Sequence, residues 1–561
     1  MTQFRSLLRA SARGAAALAA LLSLGAAAQS QRVEILFEDR VLPEPRVWWL
    51  VGTESRPVTV VWLQPRQASI FDPVPVPGTG VPATPQPGPV PCPLCVPAAP
   101  ATPTAPVPAT ALPERPGRLA GHDLSSLLEP SSVLDLHVKH PEWQIERLPD
   151  APPPPPPPPL PPPPPPLSEP CDGFYGEDFQ PVTGRVRHQR PDVPRPAKGV
   201  VVTDTHYRTC VVRATAHASE PPVGFARNDY SRRQAFNVDN TLFIVSAQDG
   251  FFHLYDANSL QHIRRIDGMD SGSEPQWHPG EPDLIRYFPR GGGLQIREIN
   301  VWTSANRALA TMPALPWPDA ARAWTRWEGS PSSDHRYWCL MAETANFAMR
   351  GVFVYDLVEN RILGSRSISA KPDHTSMSPS GRWCVVSSVG GTGTVAWNRT
   401  MTQSVQLHAT SEHSDIAVGA DGNDYYVFLD YQSHAGDLVM VNIDTGVRTT
   451  LFETYINGTG TAYHVSGKNF DQPGWVLIST YAASTSNHLW LHEKIMAVEL
   501  APNPTIVNLA HHHSRFNEYW TEPHASVNRD FTRVLFNSNW GTNSSTDVDA
   551  YLIQLPPDLL D

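Results

Sequence analysis

The chain has 561 residues, a formal net charge of −12 at pH 7, 60 prolines and 6 cysteines. Its acidic balance argues against a nucleic-acid binder, which needs a concentrated basic footprint. The sequence holds no GxSxG, HExxH, P-loop or GxGxxG pattern, which argues against a serine hydrolase, a zincin protease and a nucleotide enzyme.

Residues 1–28 read as an export signal. Arg5, Arg9 and Arg13 make a positive start, Ala15–Leu24 is apolar but too short to span a bilayer, and Ala26–Ala28 is a small-residue cleavage site. Losing those three arginines takes the charge from −12 to about −15. No later segment is long and apolar enough to be a transmembrane anchor, so a periplasmic or extracellular protein is expected. Residues 29–66 read as a small β segment, with the runs VEILF, RVWWLV and PVTVVWL between turn signals. Residues 67–197 read as a Pro-rich disordered linker with short ordered pieces. Within it Pro152–Pro159 and Pro161–Pro166 form stiff polyproline II, at about 3.1 Å per residue, and act as a spacer. Cys92 and Cys95 (CPLC) lack the βαβ setting of a redox pair and read as a local disulfide or an attachment point.

Residues 198–561 carry seven repeated segments that close on similar strands, such as Gly250–Leu260 (GFFHLYDANSL), Gly351–Arg361 (GVFVYDLVENR) and Gly436–Gly446 (GDLVMVNIDTG). A period of roughly 40–50 residues built only of strands predicts an all-β fold, a seven-bladed β-propeller. Blade starts fall near Asn237, Gln276, Ser330, Ser376, Asp415, Ser466 and Ser526. The strand-like Lys198–Val212 is expected to supply a strand to the last blade and so remove an open sheet edge. Cys171 and Cys210 flank the propeller start and can pair. Cys339 (RYWCLM) and Cys384 (GRWCVV) occupy one repeat position in adjacent blades, so they are expected to point the same way, as buried free thiols. The segments HTSMSPSGRWCVVSS (374–388) and EPHASVNRDFTRVLFNSNWG (522–541) carry a resemblance to the WD40-like, PD40-type propellers of TolB and many exported bacterial proteins.

Aligning the repeats sets a histidine at the start of the innermost strand in four consecutive blades: His374, His413, His464 and His524. Earlier blades carry Glu274 and Gln276, then Arg326 and Glu328, at comparable positions. Inner strands line the channel, so these side chains are expected to converge on one mouth. Imidazole with carboxylate suits Mn, Fe, Zn or Ni, whereas hydrogen bonding between blades is the purely structural use of such residues. The loop AHHHSRFNEYWTEPH (510–524) adds His511, His512 and His513 as further candidate ligands. His488 and His492 have i,i+4 spacing, but Leu489 and Leu491 alternate as in a strand.

This histidine pattern is similar to that of the oligogalacturonate lyase family. The resemblance implies a divalent metal (Mn, Zn or Fe) held by His413, His464 and His524, to which the loop adds His512. It implies His374 as the base, with Arg515 and Tyr463 completing the catalytic set, and Trp520, Tyr519 and Glu518 against the substrate. The chemistry would be β-elimination on a uronate: a cation neutralises the carboxylate, a base takes the C5 proton, and the 4-linked sugar leaves. The Pro-rich N-terminal region is foreign to that family. The other reading is a non-catalytic envelope or extracellular scaffold. The expected partner is a carbohydrate or an exported protein, with the chain a monomer and no nucleic acid involved.

Overall fold

The computed structural model describes Glu169–Asp561, except 221–223, 389–391, 433–435, 457–460 and 482–487, together with the backbone of four strands nearer the N-terminus. Those four strands, Leu18–Leu24, Gln31–Phe37, Val47–Thr53 and Arg56–Leu63, pair antiparallel in that order. The last three coincide with the apolar runs of the expected β segment, and the first lies in the run read as the signal's apolar core. This sheet falls in a unit of its own, distinct from the C-terminal unit. The Cys92–Cys95 pair and the proline runs lie outside the described residues.

The C-terminal unit is all-β, built as successive antiparallel meanders. One sheet runs Glu274–Trp277, Leu284–Phe288, Gln295–Asn300, Asn306–Thr311, and the next Ala320–Trp324, Tyr337–Thr344, Met349–Asp356, Arg361–Ser367. Two more four-stranded sheets begin at His374–Met377 and Ser414–Val418, and a five-stranded sheet begins at Ala462–Ser466. Neighbouring sheets adjoin: Met377 N–H donates to the Ser330 carbonyl, and Val527 N–H to Ser466 Oγ. This is the architecture of a β-propeller. Because each sheet is covered on both faces, its middle strands read as unbroken apolar runs, for example Trp475–Tyr481 (WVLISTY). Among the described residues the one helical piece is a 3₁₀ turn at Tyr519–Thr521, and no helix is long and apolar enough to cross a membrane.

The recurring Ser or Asn at sheet starts has a local cause. Ser332 Oγ accepts the N–H of Tyr337, Ser378 Oγ that of Trp383, Asn237 Oδ1 that of Leu242 and Asn528 Oδ1 that of Arg533. Each short polar side chain thereby closes the turn between first and second strands.

The ring closes through the N-terminal side of the unit. Asp549–Gln554 pairs with Cys210–Arg213, which pairs with Val201–Thr203, so these two strands complete the last sheet. The boundary expected at residue 198 lies too late. Val182–Thr183 pairs with Ile506–His511, Arg195 bonds Asp547 at 2.5 Å, Trp540 Nε1 donates to the Val193 carbonyl, and Cys171 is disulfide-bonded to Cys210. Residues 169–197 therefore form a strap on the ring. Their composition hid this because the strap is held by ion pairs and backbone hydrogen bonds rather than by an apolar periodicity.

The expectation of free thiols at Cys339 and Cys384 is also corrected: they form a disulfide, with Cα atoms 5.1 Å apart. Ser332 N–H donates to the Tyr337 carbonyl as Ser378 N–H does to that of Trp383. Tyr337 is thus equivalent to Trp383, and Cys384 is level with Trp338, one residue out of step with Cys339. A one-residue offset turns a strand side chain to the opposite face, so the two sulfurs meet between the sheets.

Candidate functional site

The inner strands bring three of the four histidines into ring contact. Centroids of His413 and His464 lie 4.8 Å apart, and those of His464 and His524 lie 4.2 Å apart. Strand alternation selects His464 over Tyr463. Tyr463 turns between the sheets, fully buried, and its hydroxyl donates to Thr454 Oγ1 at 2.9 Å. The tyrosines that do flank the histidines are Tyr481, 4.8 Å from the His464 ring, and Tyr230, 5.2 Å from that of His524.

Neighbouring carbonyls fix two tautomers. His413 Nδ1 lies 2.8 Å from the Tyr463 carbonyl, and His524 Nε2 lies 3.0 Å from the Tyr519 carbonyl. A carbonyl only accepts, so those nitrogens carry the protons, which leaves lone pairs on His413 Nε2 and His524 Nδ1. His524 Nδ1 and His464 Nδ1 are buried without a protein hydrogen-bond partner. His524 is held in the left-handed region (φ 41°), with its carbonyl accepting from Asn228 Nδ2 at 2.7 Å. Glu522 completes the group. Its Oε2 is 2.6 Å from His464 Nε2 and 3.8 Å from His524 Nε2, and single ligand atoms of His464, Glu522 and His524 all lie within 4.8 Å of one another. Burial pushes the Glu522 carboxyl up to about 8 and holds His524 down to about 3. Two neutral imidazoles and a carboxyl in a dry pocket are a donor set that fits a divalent transition metal. Close clusters of His, Asp and Glu also occur at Glu328–Asp373–His374 and at Asp204–His206–His511.

His374 belongs to the first of these neighbouring groups. Its Nδ1 is 3.4 Å from Asp373 Oδ2 and 3.8 Å from Glu328 Oε2. The buried Arg232 joins this group to the others. Its Nη1 lies 2.8 Å from Glu328 Oε2 and 2.8 Å from His374 Nε2, its Nη2 reaches Ser414 Oγ at 3.4 Å, and its guanidinium is 5.7 Å from the centre of the Tyr230 ring. Burial and the Arg232 charge lower the His374 pKa, which favours the neutral imidazole. The loop that carries Glu328 is clamped: Arg326 and Trp327 both have positive φ (64° and 72°), and Glu274 accepts the N–H groups of Thr325 and Trp327 at 3.0 and 2.5 Å. Gln276 Nε2 donates to the Gly329 carbonyl at 3.0 Å. Glu274 and Gln276 thus serve this loop rather than the histidines.

Around the three histidines, Phe516, Tyr519 and Trp520 are 45%, 41% and 43% exposed. Tyr519 packs on His524 at 4.7 Å, and Arg227 lies between the rings of Phe225 and Trp520, at 3.7 and 4.0 Å. Glu518 caps the 3₁₀ turn that presents Tyr519 and Trp520. Arg515 is exposed, and its backbone is clasped by Asn539, which accepts its N–H at 2.7 Å and donates to its carbonyl at 2.9 Å. His512 is not brought to the group formed by His464, Glu522 and His524: it is buried, and its Nδ1 accepts the Ser514 N–H at 3.0 Å. His492 sits in a turn that follows His488, with His492 Nδ1 accepting the Leu489 N–H.

Sequence reasoning missed Arg232, Tyr230, Tyr481 and Glu522. Glu522 had a signal, since it stands two residues before His524 and an extended segment places i and i+2 on one side. Arg232 and Tyr230 had none, because they precede the first repeat and no alignment of repeats reaches them.

No protein-family description matches the chain, and none of the curated proteins matches it. Similar solved structures include an oligogalacturonate lyase in complex with manganese (15% identity, 64% of this chain and 97% of that one, TM-score 0.47). They also include an oligogalacturonate lyase from Vibrio parahaemolyticus (12% identity, 64% and 96%, TM-score 0.46) and a WD40 domain from Neurospora crassa (10% identity, 59% and 89%, TM-score 0.37). At these identities and TM-scores the likenesses carry no weight for function.

Proposed function

We propose that this chain is an exported seven-bladed propeller that binds a divalent metal and an acidic polysaccharide at one mouth of its channel and cleaves the polysaccharide by β-elimination. The observation that carries this reading is the pairing of His464, Glu522 and His524, with two buried imidazole nitrogens left unpartnered, beside the buried Arg232–His374 pair. The two disulfides, Cys171–Cys210 and Cys339–Cys384, support export into an oxidising compartment.

His464, Glu522 and His524 would hold the metal, with His413 Nε2 beside them, and its charge would stabilise the enolate-like carboxylate that forms as C5 loses its proton. Arg232 offers a fixed guanidinium to a uronate carboxylate. His374 is neutral and takes the C5 proton on a ring nitrogen. The C5–H electron pair becomes the C4–C5 double bond, and the 4-linked oxygen leaves and is protonated by water. Tyr519, Trp520 and Phe516 supply apolar faces for sugar rings. These exposed aromatics also favour a second reading, a propeller that binds a glycan without cleaving it.

The test is the metal content of the purified chain together with the appearance of unsaturated uronate ends from oligogalacturonate. His464→Ala is expected to lose the metal bound at the mouth. His374→Ala is expected to keep it while elimination falls by roughly 100-fold or more. Tyr463→Phe, altered between the sheets, is expected to leave turnover unchanged. Metal and glycan binding without unsaturated product would select the second reading.

A further inference from the structure

We propose that Asp204, His206 and His511 form a second divalent-metal site, separate from the histidines at the mouth, which pins the ring-closing hairpin to the neighbouring sheet. Asp204 and His206 follow the strand Val201–Thr203 and lie in the turn leading to Cys210–Arg213. His511 ends Ile506–His511, a strand of the adjacent sheet. One ligand atom from each of the three lies within 4.8 Å of the others, and Asp204 and His511 are buried.

The hydrogen bonds call for a cation here. His511 Nε2 lies 3.3 Å from the His188 carbonyl and Nδ1 lies 3.2 Å from Asp204 Oδ2, and both partners only accept, so the single proton of a neutral ring serves only one of them. With that proton on Nε2, the lone pair on Nδ1 faces Asp204 Oδ2. Two acceptors in contact repel unless a positive charge sits between or beside them, either a second proton or a metal. Asp204 is an anion: it accepts the N–H groups of His206, Tyr207 and His511 at 3.0, 2.9 and 2.8 Å.

The spacing fits a metal. Two ligand atoms about 2.1 Å from one ion lie about 3.0–3.4 Å apart between octahedral and tetrahedral angles. The third donor is waiting. His206 stands 5.2 Å from the His511 ring, and its Nδ1 is buried without a hydrogen-bond partner. Stacking on His188 at 4.5 Å, with 14° between the planes, holds the ring in place. Two imidazoles and one carboxylate suit Zn²⁺. The site would act with the Cys171–Cys210 disulfide, which ties the strap to the same hairpin.

The full chain, stripped with a chelator and reloaded with Zn²⁺ alone, tests this in His464→Ala, His206→Ala and the double variant, with circular dichroism as the check on folding. His464→Ala is expected to retain one zinc per chain and to gain thermal stability on zinc addition. In the double variant both effects are expected to vanish, with apparent affinity at least tenfold weaker. Should the double variant not fold, His206→Gln replaces His206→Ala, and loss of the Co²⁺ absorption bands of His464→Ala gives the same reading. Zinc retained by the double variant, or none bound by a folded His464→Ala, overturns the second site. Equal zinc in the unaltered chain and in His464→Ala overturns the metal at the mouth and leaves this site standing.

Discussion

Tyr463 and His464 are adjacent in one strand, yet only the histidine meets its counterparts from the neighbouring sheets, because successive side chains leave a strand on opposite faces. The same rule explains why residue type misled at Tyr463 and why Glu522, an unremarked acid before a proline, meets His464 and His524. Burial then sets the chemistry of each group. His492 is a further case: burial, reinforced by the neighbouring His488, lowers its pKa from 6.5 to about 4, and its Nδ1 accepts the Leu489 N–H. Its folded pKa lies below the unfolded value. Its contribution to stability is therefore present above pH 6.5 and is lost as pH falls towards 4, where the unfolded chain takes up a proton that the folded chain refuses. The unfolding midpoint of the protein is expected to drop across this window, and to drop less in His492→Asn, whose carbonyl can still accept the Leu489 N–H. Equal pH slopes for the two proteins would show that His492 contributes nothing to acid sensitivity.

At the scale of the element, register decides what repetition alone does not. Cys339 and Cys384 share the tripeptide context Trp-Cys-aliphatic, and the repeats align them, but the hydrogen bonds of the preceding turns shift one against the other by a residue. The resulting disulfide spans 45 residues and ties adjacent sheets near the strand that opens with His374. Closing a loop of this length is worth about 2–4 kcal/mol. Cys339→Ser with Cys384→Ser is expected to lower stability by that order in denaturant titration, and the unaltered chain under reducing conditions is expected to match the variant. The paired sheets would keep their fold, since both sulfurs lie among apolar side chains such as Trp338, Leu340 and Val386.

For the whole molecule, closure is the decisive feature. Without Val201–Thr203 and Cys210–Arg213, the strand Asp549–Gln554 would present an open edge, which invites pairing with other chains. Removal of residues 1–168 is expected to leave a monomer with unchanged thermal unfolding, because the ring and the strap from 169 onward are retained. Removal of residues 1–213 is expected to give aggregation on size exclusion and a lowered or lost unfolding transition. A monomer of undiminished stability from the shorter chain would show that the ring does not depend on these strands.

The sequence by itself determined the all-β class, the repeat period, the closing strand beyond residue 198 and the histidines at the inner strands. These follow from composition, from strand-length apolar runs and from the short polar residues that close each turn, all of which act over a few residues and leave a local imprint. Only the tertiary structure decided that Arg232 joins Glu328 and His374, that Tyr481 and Tyr230 flank the histidines, that Cys339 meets Cys384, and that residues 169–197 belong to the ring. Each of these joins positions between 17 and 347 residues apart or depends on a one-residue register. Contacts of that kind arise when the ring closes, and nothing within a local window of residues records them.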